Sequence, residues 1–308
     1  MEPMTARTRN RRAALLATSL LAAGVLGACG TESDPAASDP EPQQSASSKP
    51  AEESSPAAPS DTATTAPETV AVPLYFVGDT PLGPRLFREF QQVEGDNPVD
   101  EALAILASGA AQDPDYSTLL PGGTPTLVAG ETPGPDGAIG VNVPTEWAER
   151  PDGMSEKEAK LAVQQLVYTV QGALQSRAPV EFYSDGVTPM FGIDRSWFKA
   201  APQNSVLAFV NITEPAEGAQ VSGTFTASGV ANSFEATVPW EIQDQSGTKV
   251  LDGFATADGW GDRLHPWQAP VDVSGLAAGT YTFVASTDDA SDGEGGGPTK
   301  DTKTITVG

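Results

Sequence analysis

One thiol in 308 residues limits this chain more than any other feature: Cys29 is the only cysteine, so no disulfide can close within it. Four arginines (Arg7, Arg9, Arg11, Arg12) precede an apolar run over residues 13–27, and the small residues Gly27 and Ala28 stand directly before Cys29. A charged start, an apolar centre and a small-residue cleavage site make an export signal. The apolar run is shorter than the roughly 20 residues that a membrane-spanning helix needs. Whatever folds downstream must be held by packing alone, with no thiolate for a zinc site or a nucleophile.

The residues around the thiol, Leu26-Gly27-Ala28-Cys29, resemble a bacterial lipobox: a branched apolar residue, two small residues, then cysteine. That resemblance implies that residues 1–28 are a lipoprotein signal peptide and that Cys29 is the lipidation site, diacylated and left as the new N-terminus. The expected location is the extracytoplasmic face of the cell membrane, held by lipid. Residues 29–68 contain Pro, Ser, Ala, Thr, Asp and Glu but no aromatic residue. Such a stretch cannot bury enough apolar area to offset the entropy of ordering, so it is expected to be a disordered tether. Its reach is roughly 35 Å if flexible and up to about 120 Å if fully extended.

Charge excludes one class of partner. With 17 basic and 41 acidic residues the chain carries −24, and loss of the leader removes four arginines against one glutamate. So acidic a surface repels phosphate backbones, and no nucleic-acid partner is expected.

The first folded segment is expected over residues 69–202. Residues 70–77 and 85–93 read as paired strands. Asn97-Pro98 reads as a helix start, with Val99, Ala102, Leu103 and Leu106 at helical spacing and Gly109 as the stop. Short strands are expected at 126–129 and 138–143. Ser155-Glu156-Lys157-Glu158 is a capping box that starts a second helix with the stripe Val163, Leu166, Val167, Val170, Leu174. A last strand covers residues 179–183. The order β-β-α-β-β-α-β predicts a small α+β sandwich with both helices on one sheet face.

Residues 206–308 show no helical period. Phe234, Ala236, Val238, Trp240 and Ile242 alternate with polar residues and read as one half-buried strand, with Pro239 placing it at an edge or bulge. About seven strands separated by turns indicate an immunoglobulin-like β-sandwich without the antibody disulfide.

On these residues the first segment resembles the GerM-type (GerMN) domain of sporulation and germination proteins. The matching stretches are Val72-Pro73-Leu74-Tyr75-Phe76, Asn97-Pro98-Val99-Asp100-Glu101-Ala102-Leu103, Leu120-Pro121-Gly122-Gly123-Thr124 and Val141-Asn142-Val143. Gln165-Leu166-Val167-Tyr168-Thr169-Val170 and Val180-Glu181-Phe182-Tyr183-Ser184-Asp185-Gly186 complete the set. The second segment resembles the immunoglobulin-like domain of bacterial spore germination, through Ile212-Thr213-Glu214-Pro215, Val221-Ser222-Gly223, Val238-Pro239-Trp240-Glu241-Ile242, Gly259-Trp260-Gly261 and residues 229–236. The resemblance implies an α+β chain: a small GerM-type α/β sandwich followed by an all-β immunoglobulin-like sandwich. It also implies a non-enzymatic envelope protein with a binding or assembly role, through an envelope protein partner or self-association.

No nucleophile elbow, zinc-protease helix, phosphate loop or dinucleotide fingerprint occurs in the sequence, and no catalytic residue, cofactor or metal is expected. His265, the only histidine, reads as a loop residue with no acidic partner near it in sequence. Residues 288–294 are acidic, but calcium-loop spacing puts Ala290 and Thr299 where carboxylates belong, which favours a solvated hairpin loop. Trp260 and Trp267 lie in or beside a Gly/Pro-containing loop. They are candidates for stacking on cell-wall glycan, against the expectation that they cap the end of the sandwich. The rival functions are therefore a wall-glycan-binding module using Trp260 and Trp267, and a wall-active hydrolase, or the regulator of a peptidoglycan hydrolase, using buried carboxylates.

Overall fold

The structure, a computed structural model, describes residues 68–308 apart from 131, 135, 185–188, 196 and 289–295. The leader, Cys29 and the tether lie outside the described residues, as does most of the acidic 288–294 loop.

β1 (Thr69–Gly78) and β2 (Arg85–Glu94) form an antiparallel hairpin in which Tyr75 faces Arg88. α1 (Pro98–Ser108) follows, with Pro98 in its first turn and Gly109 closing it at φ 71°. The Asn97 side chain makes no capping bond. β3 (Thr126–Leu127) and β4 (Ile139–Asn142) pair antiparallel, and β5 (Val180–Tyr183) pairs parallel with β4. Between β4 and β5 runs α2 (Glu156–Ala173), started by the full capping box of Ser155 and Glu158.

Two expectations need correcting here. The strands of this half form two sheets, β1-β2 and β3-β4-β5, and not one. α2 is also buried well beyond its apolar stripe, while Leu174 is only partly buried. The cause is the free edge of β1. The Tyr75 backbone N–H donates to Thr169 Oγ1 at 3.1 Å, and its carbonyl accepts from Gln165 Nε2 at 3.1 Å. Gln165 and Thr169 are fully buried because they complete a strand edge that no further strand covers.

A short helix α3 (Gln203–Val206) leads into the second half. There β6 (Val210–Glu214), β7 (Ala219–Val221), β8 (Thr224–Ala231), β9 (Thr237–Gln243), β10 (Lys249–Thr256), β11 (His265–Asp272), β12 (Gly279–Ser286) and β13 (Lys300–Val307) follow. They make a sheet of order β10-β9-β12-β13-β7 and a sheet of order β11-β8-β6. Val238, Ile242, Phe283 and Ile305 from one sheet and Val210, Ile212 and Val271 from the other belong to one buried core. The architecture is α+β, and its second half is a β-sandwich.

The strand around Pro239 differs from expectation. Residues 234–236 are a tight turn with Glu235 at φ 51° and Ala236 at φ 60°, so Phe234 leaves the core register and is 42% exposed. β9 is an interior strand. Pro239 is tolerated because pairing with β12 ends at Trp240, leaving no ladder bond for the missing N–H.

Candidate functional site at the interdomain junction

The last strand carries the pattern that builds the junction. Along β13 the residues Asp301, Lys303, Ile305 and Val307 are all buried, so an acid and a base occupy the same inward face as two core aliphatics. The first half supplies their partners from the loop after α1. Lys303 Nζ makes a short ion pair with Asp113, lies 3.5 Å from Asp301 Oδ1, and donates to Tyr116 Oη at 2.9 Å. The same ammonium sits 4.3 Å from the Tyr116 ring centre. Tyr116 Oη donates to Asp301 Oδ1 at 2.7 Å. Asp301 Oδ2 accepts from the Ile212 N–H at 2.6 Å and from Asn211 Nδ2 at 3.2 Å. Glu89 closes the cluster by accepting from the backbone of Gln112 and Asp113 at 3.0 Å.

Burial sets the electrostatics of this cluster. It pushes the Asp113 carboxyl up to about 6, with Lys303 pulling it back. It also raises Asp301, against the same ammonium, and raises the Tyr116 phenol well above its ordinary range. For Lys303 burial opposes the charge, but Asp301 and Asp113 outweigh it and hold the ammonium above its usual value. The arrangement ties strand β13 and the start of β6 to the loop after α1 through charges that have left water, a geometry that punishes separation.

A second, apolar contact flanks it. Val77, Leu86, Leu161, Tyr168, Leu207 and Leu264 form one small buried cluster drawn from both halves. The Ala208 N–H donates to the Leu86 carbonyl at 2.9 Å, so the connecting segment runs beside β2. Arg85 donates to the carbonyl of Asn204 at 2.8 Å and lies over the Phe209 ring at 4.9 Å. Residues 68–308 accordingly belong to one compact unit.

The residues singled out in the sequence fall elsewhere. Trp267 is 3% exposed in the sandwich core, which removes its ring faces from any ligand. Its neighbour across β8 is Gly229, where a Cβ would lie 2.9 Å from the indole. Trp260 is 52% exposed and meets the exposed Phe234 edge-on at 5.2 Å. His265 opens strand β11 and is not a loop residue. Its Nε2 lies 3.1 Å from Asp262 Oδ1, an acidic partner three residues earlier that the sequence reading passed over. Glu94, Asp96 and Glu101 bring carboxylate oxygens together near the start of α1, but Glu101 already accepts from the Glu94 N–H at 2.7 Å.

The junction residues escaped the sequence reading because Asp113 and Lys303 stand 190 positions apart. The available signal was Asp301 and Lys303 sharing the two-residue period of Ile305 and Val307. A charged pair in phase with core aliphatics announces a buried partner.

Comparison with known proteins finds a separate family model for a stretch of each half. Residues 73–189 match the family model described as sporulation and spore germination, and residues 209–294 match the immunoglobulin-like domain of bacterial spore germination. No curated protein matches the chain significantly. Among solved structures, similarity extends to the tandem GerMN domains of the sporulation protein GerM from Bacillus subtilis, at 13% identity over 67% of this chain and 62% of that one, TM-score 0.32. CopC from Methylosinus trichosporium OB3b is similar at 19% identity over 32% of this chain and 92% of its own, TM-score 0.22. The endo-beta-1,4-mannanase from Thermotoga petrophila is similar at 12% identity over 52% and 37%, TM-score 0.26. The chain spans less than two thirds of the GerM and mannanase structures.

Proposed function

We propose that this chain, which joins a sporulation and spore germination domain to the immunoglobulin-like domain of bacterial spore germination, is a lipid-anchored extracytoplasmic protein that binds or assembles cell-envelope components as one rigid two-domain body. It does so without catalysis of its own. The observation that carries this reading is the buried Asp113–Lys303–Asp301–Tyr116 cluster, which couples the two halves where a flexible linker would leave them independent. Among the described residues, the buried carboxylates of Glu89, Asp113, Glu181 and Asp301 are engaged by Lys303, by tyrosine hydroxyls and by backbone amides. Anchoring is supported by the sequence around Cys29, and standoff from the membrane by the composition of residues 29–68.

Two experiments test it. Cys29→Ser should release the protein from the membrane fraction; a variant that stays bound after washing contradicts lipid anchoring. Crosslinking in intact cells should capture a discrete envelope protein or a second copy, and a monomer without neighbours contradicts the assembly role. The exposed Phe234–Trp260 pair supports a second reading, in which the sandwich holds wall glycan. Retention on insoluble wall that is lost in Trp260→Ala would favour it.

A further inference from the structure

A groove of about 390 Å³ opens where the β1-β2 hairpin, the end of α2 and the connecting segment meet. Its wall is unusual for this chain. Arg88, Arg177, Tyr75, Tyr168, Gln171 and Gln175 line it, and no Asp or Glu among the described residues does, in a protein with net charge −24. Neither arginine forms a salt bridge among the described residues. The carbonyls at the end of α2 do not occupy Arg177 either. Those of Val170, Gln171 and Gly172 are taken by the N–H groups of Leu174, Ser176 and Gln175.

Two of the side chains in its wall also carry buried polar atoms. Gln171 is 5% exposed; its Nε2 donates to the Ala178 carbonyl at 2.8 Å, while its Oε1 has no hydrogen-bond partner among the described residues. Arg88 Nε is likewise buried without a partner, although Nη2 of the same side chain donates to Thr213 at 3.0 Å. Buried polar atoms are rarely left so. Gln175 stands at φ 49° because it ends α2: its N–H and that of Ser176 return to the Gly172 and Gln171 carbonyls, the usual left-handed helix terminus.

Tyr75 and Tyr168 supply aromatic surface, with ring centres 5.1 Å apart, and the exposed Phe90 lies under Arg88 at 4.8 Å. Burial raises the Tyr75 phenol, and the charges of Arg88 and Arg177, with a hydrogen bond from Arg88, pull it back. Guanidiniums in a groove wall suit a carboxylate, which each can grip through parallel N–H bonds. Amides, a hydroxyl and aromatic rings together suit a polyol ring more than an apolar anion.

We infer that this groove binds a saccharide carrying a carboxylate, with Arg88 and Arg177 on the carboxylate and the aromatic and amide side chains of the wall against the sugar. The inference concerns a different surface from Trp260 and is independent of the lipid anchor.

The test uses N-acetylmuramic acid and N-acetylglucosamine, which differ by one carboxylate-bearing ether, titrated calorimetrically into residues 29–308. The acid is expected to bind saturably, at least tenfold tighter than the neutral sugar. Arg177→Gln, an exposed change that leaves the core intact, should weaken it at least fivefold without altering the melting temperature. Equal binding of the two sugars, an unchanged affinity in Arg177→Gln, or no saturable binding of the acid overturns the proposal. Inorganic phosphate competing as well as the acid would reduce the groove to a general anion site and overturn the saccharide assignment. Preference for an acidic tripeptide over the sugar would overturn it in favour of a peptide.

Discussion

Replacing Lys303 by methionine isolates the junction. The side chain is 5% exposed and its partners Asp113 and Asp301 are 2% and 1% exposed, so the substitution keeps an aliphatic stem in place and strands two carboxylates away from water. Breaking a buried pair from one side costs about 3–5 kcal/mol. The penalty should depend on pH in a determined direction. The Asp113 carboxyl has its folded value raised from 3.8 to about 6, so the folded state holds that proton more tightly than the unfolded chain. The resulting stabilisation is complete below the unfolded value and is lost as pH rises through about 6. In the parent protein, moving from pH 7.5 to pH 5 therefore gains about 1.4 kcal/mol from this group. In Lys303→Met the opposing ammonium is gone, Asp113 and Asp301 take protons more readily still, and the gain on acidification is larger. Urea titrations of residues 69–308, followed by tryptophan fluorescence at the two pH values, should give a deficit of about 3–5 kcal/mol at pH 7.5 that shrinks at pH 5. The double variant with Asp113→Asn should recover part of it at pH 7.5. A deficit below about 1 kcal/mol, or one identical at both pH values, would refute the reasoning.

Other expectations follow from single contacts. Gly229→Ala places a Cβ 2.0 Å from the Asn211 carbonyl oxygen between two paired strands and should destabilise by roughly 1–3 kcal/mol, whereas Gly275→Ala, with nothing within 4 Å, should stay within about 0.5 kcal/mol; chemical denaturation distinguishes them. Ser155→Ala removes one arm of the capping box and should cost about 1 kcal/mol by the same measurement. Trp267→Ala should cost roughly 3–5 kcal/mol, while Trp260→Ala should leave the unfolding midpoint nearly unchanged, since only the former empties the core.

Local chemistry was the part of this fold legible in the sequence. The start of α2 follows from Ser155 and Glu158, and the limits of α1 from Pro98 and Gly109, because these signals act over three or four residues. Strand positions followed from alternation, but alternation alone did not say where a run breaks. Phe234 keeps the two-residue period of β9, yet the positive φ angles at Glu235 and Ala236 turn it outward. Partition of the first half into two sheets was not legible either, because it depends on α2 covering the edge of β1 with Gln165 and Thr169, about 90 positions away. Both candidate sites are likewise long-range: Asp113 meets Lys303 only across the two halves, and Arg88 and Arg177 line one groove only once α2 has packed on the β1-β2 hairpin.

The central claim is that the two halves form one mechanical body, and scanning calorimetry of residues 69–308 at pH 7.5 tests it most directly. A single endotherm, with agreement between calorimetric and van't Hoff enthalpies for the whole length, is the expected result. Two separable transitions, with the sandwich melting at the same temperature alone as in the full piece, would contradict it.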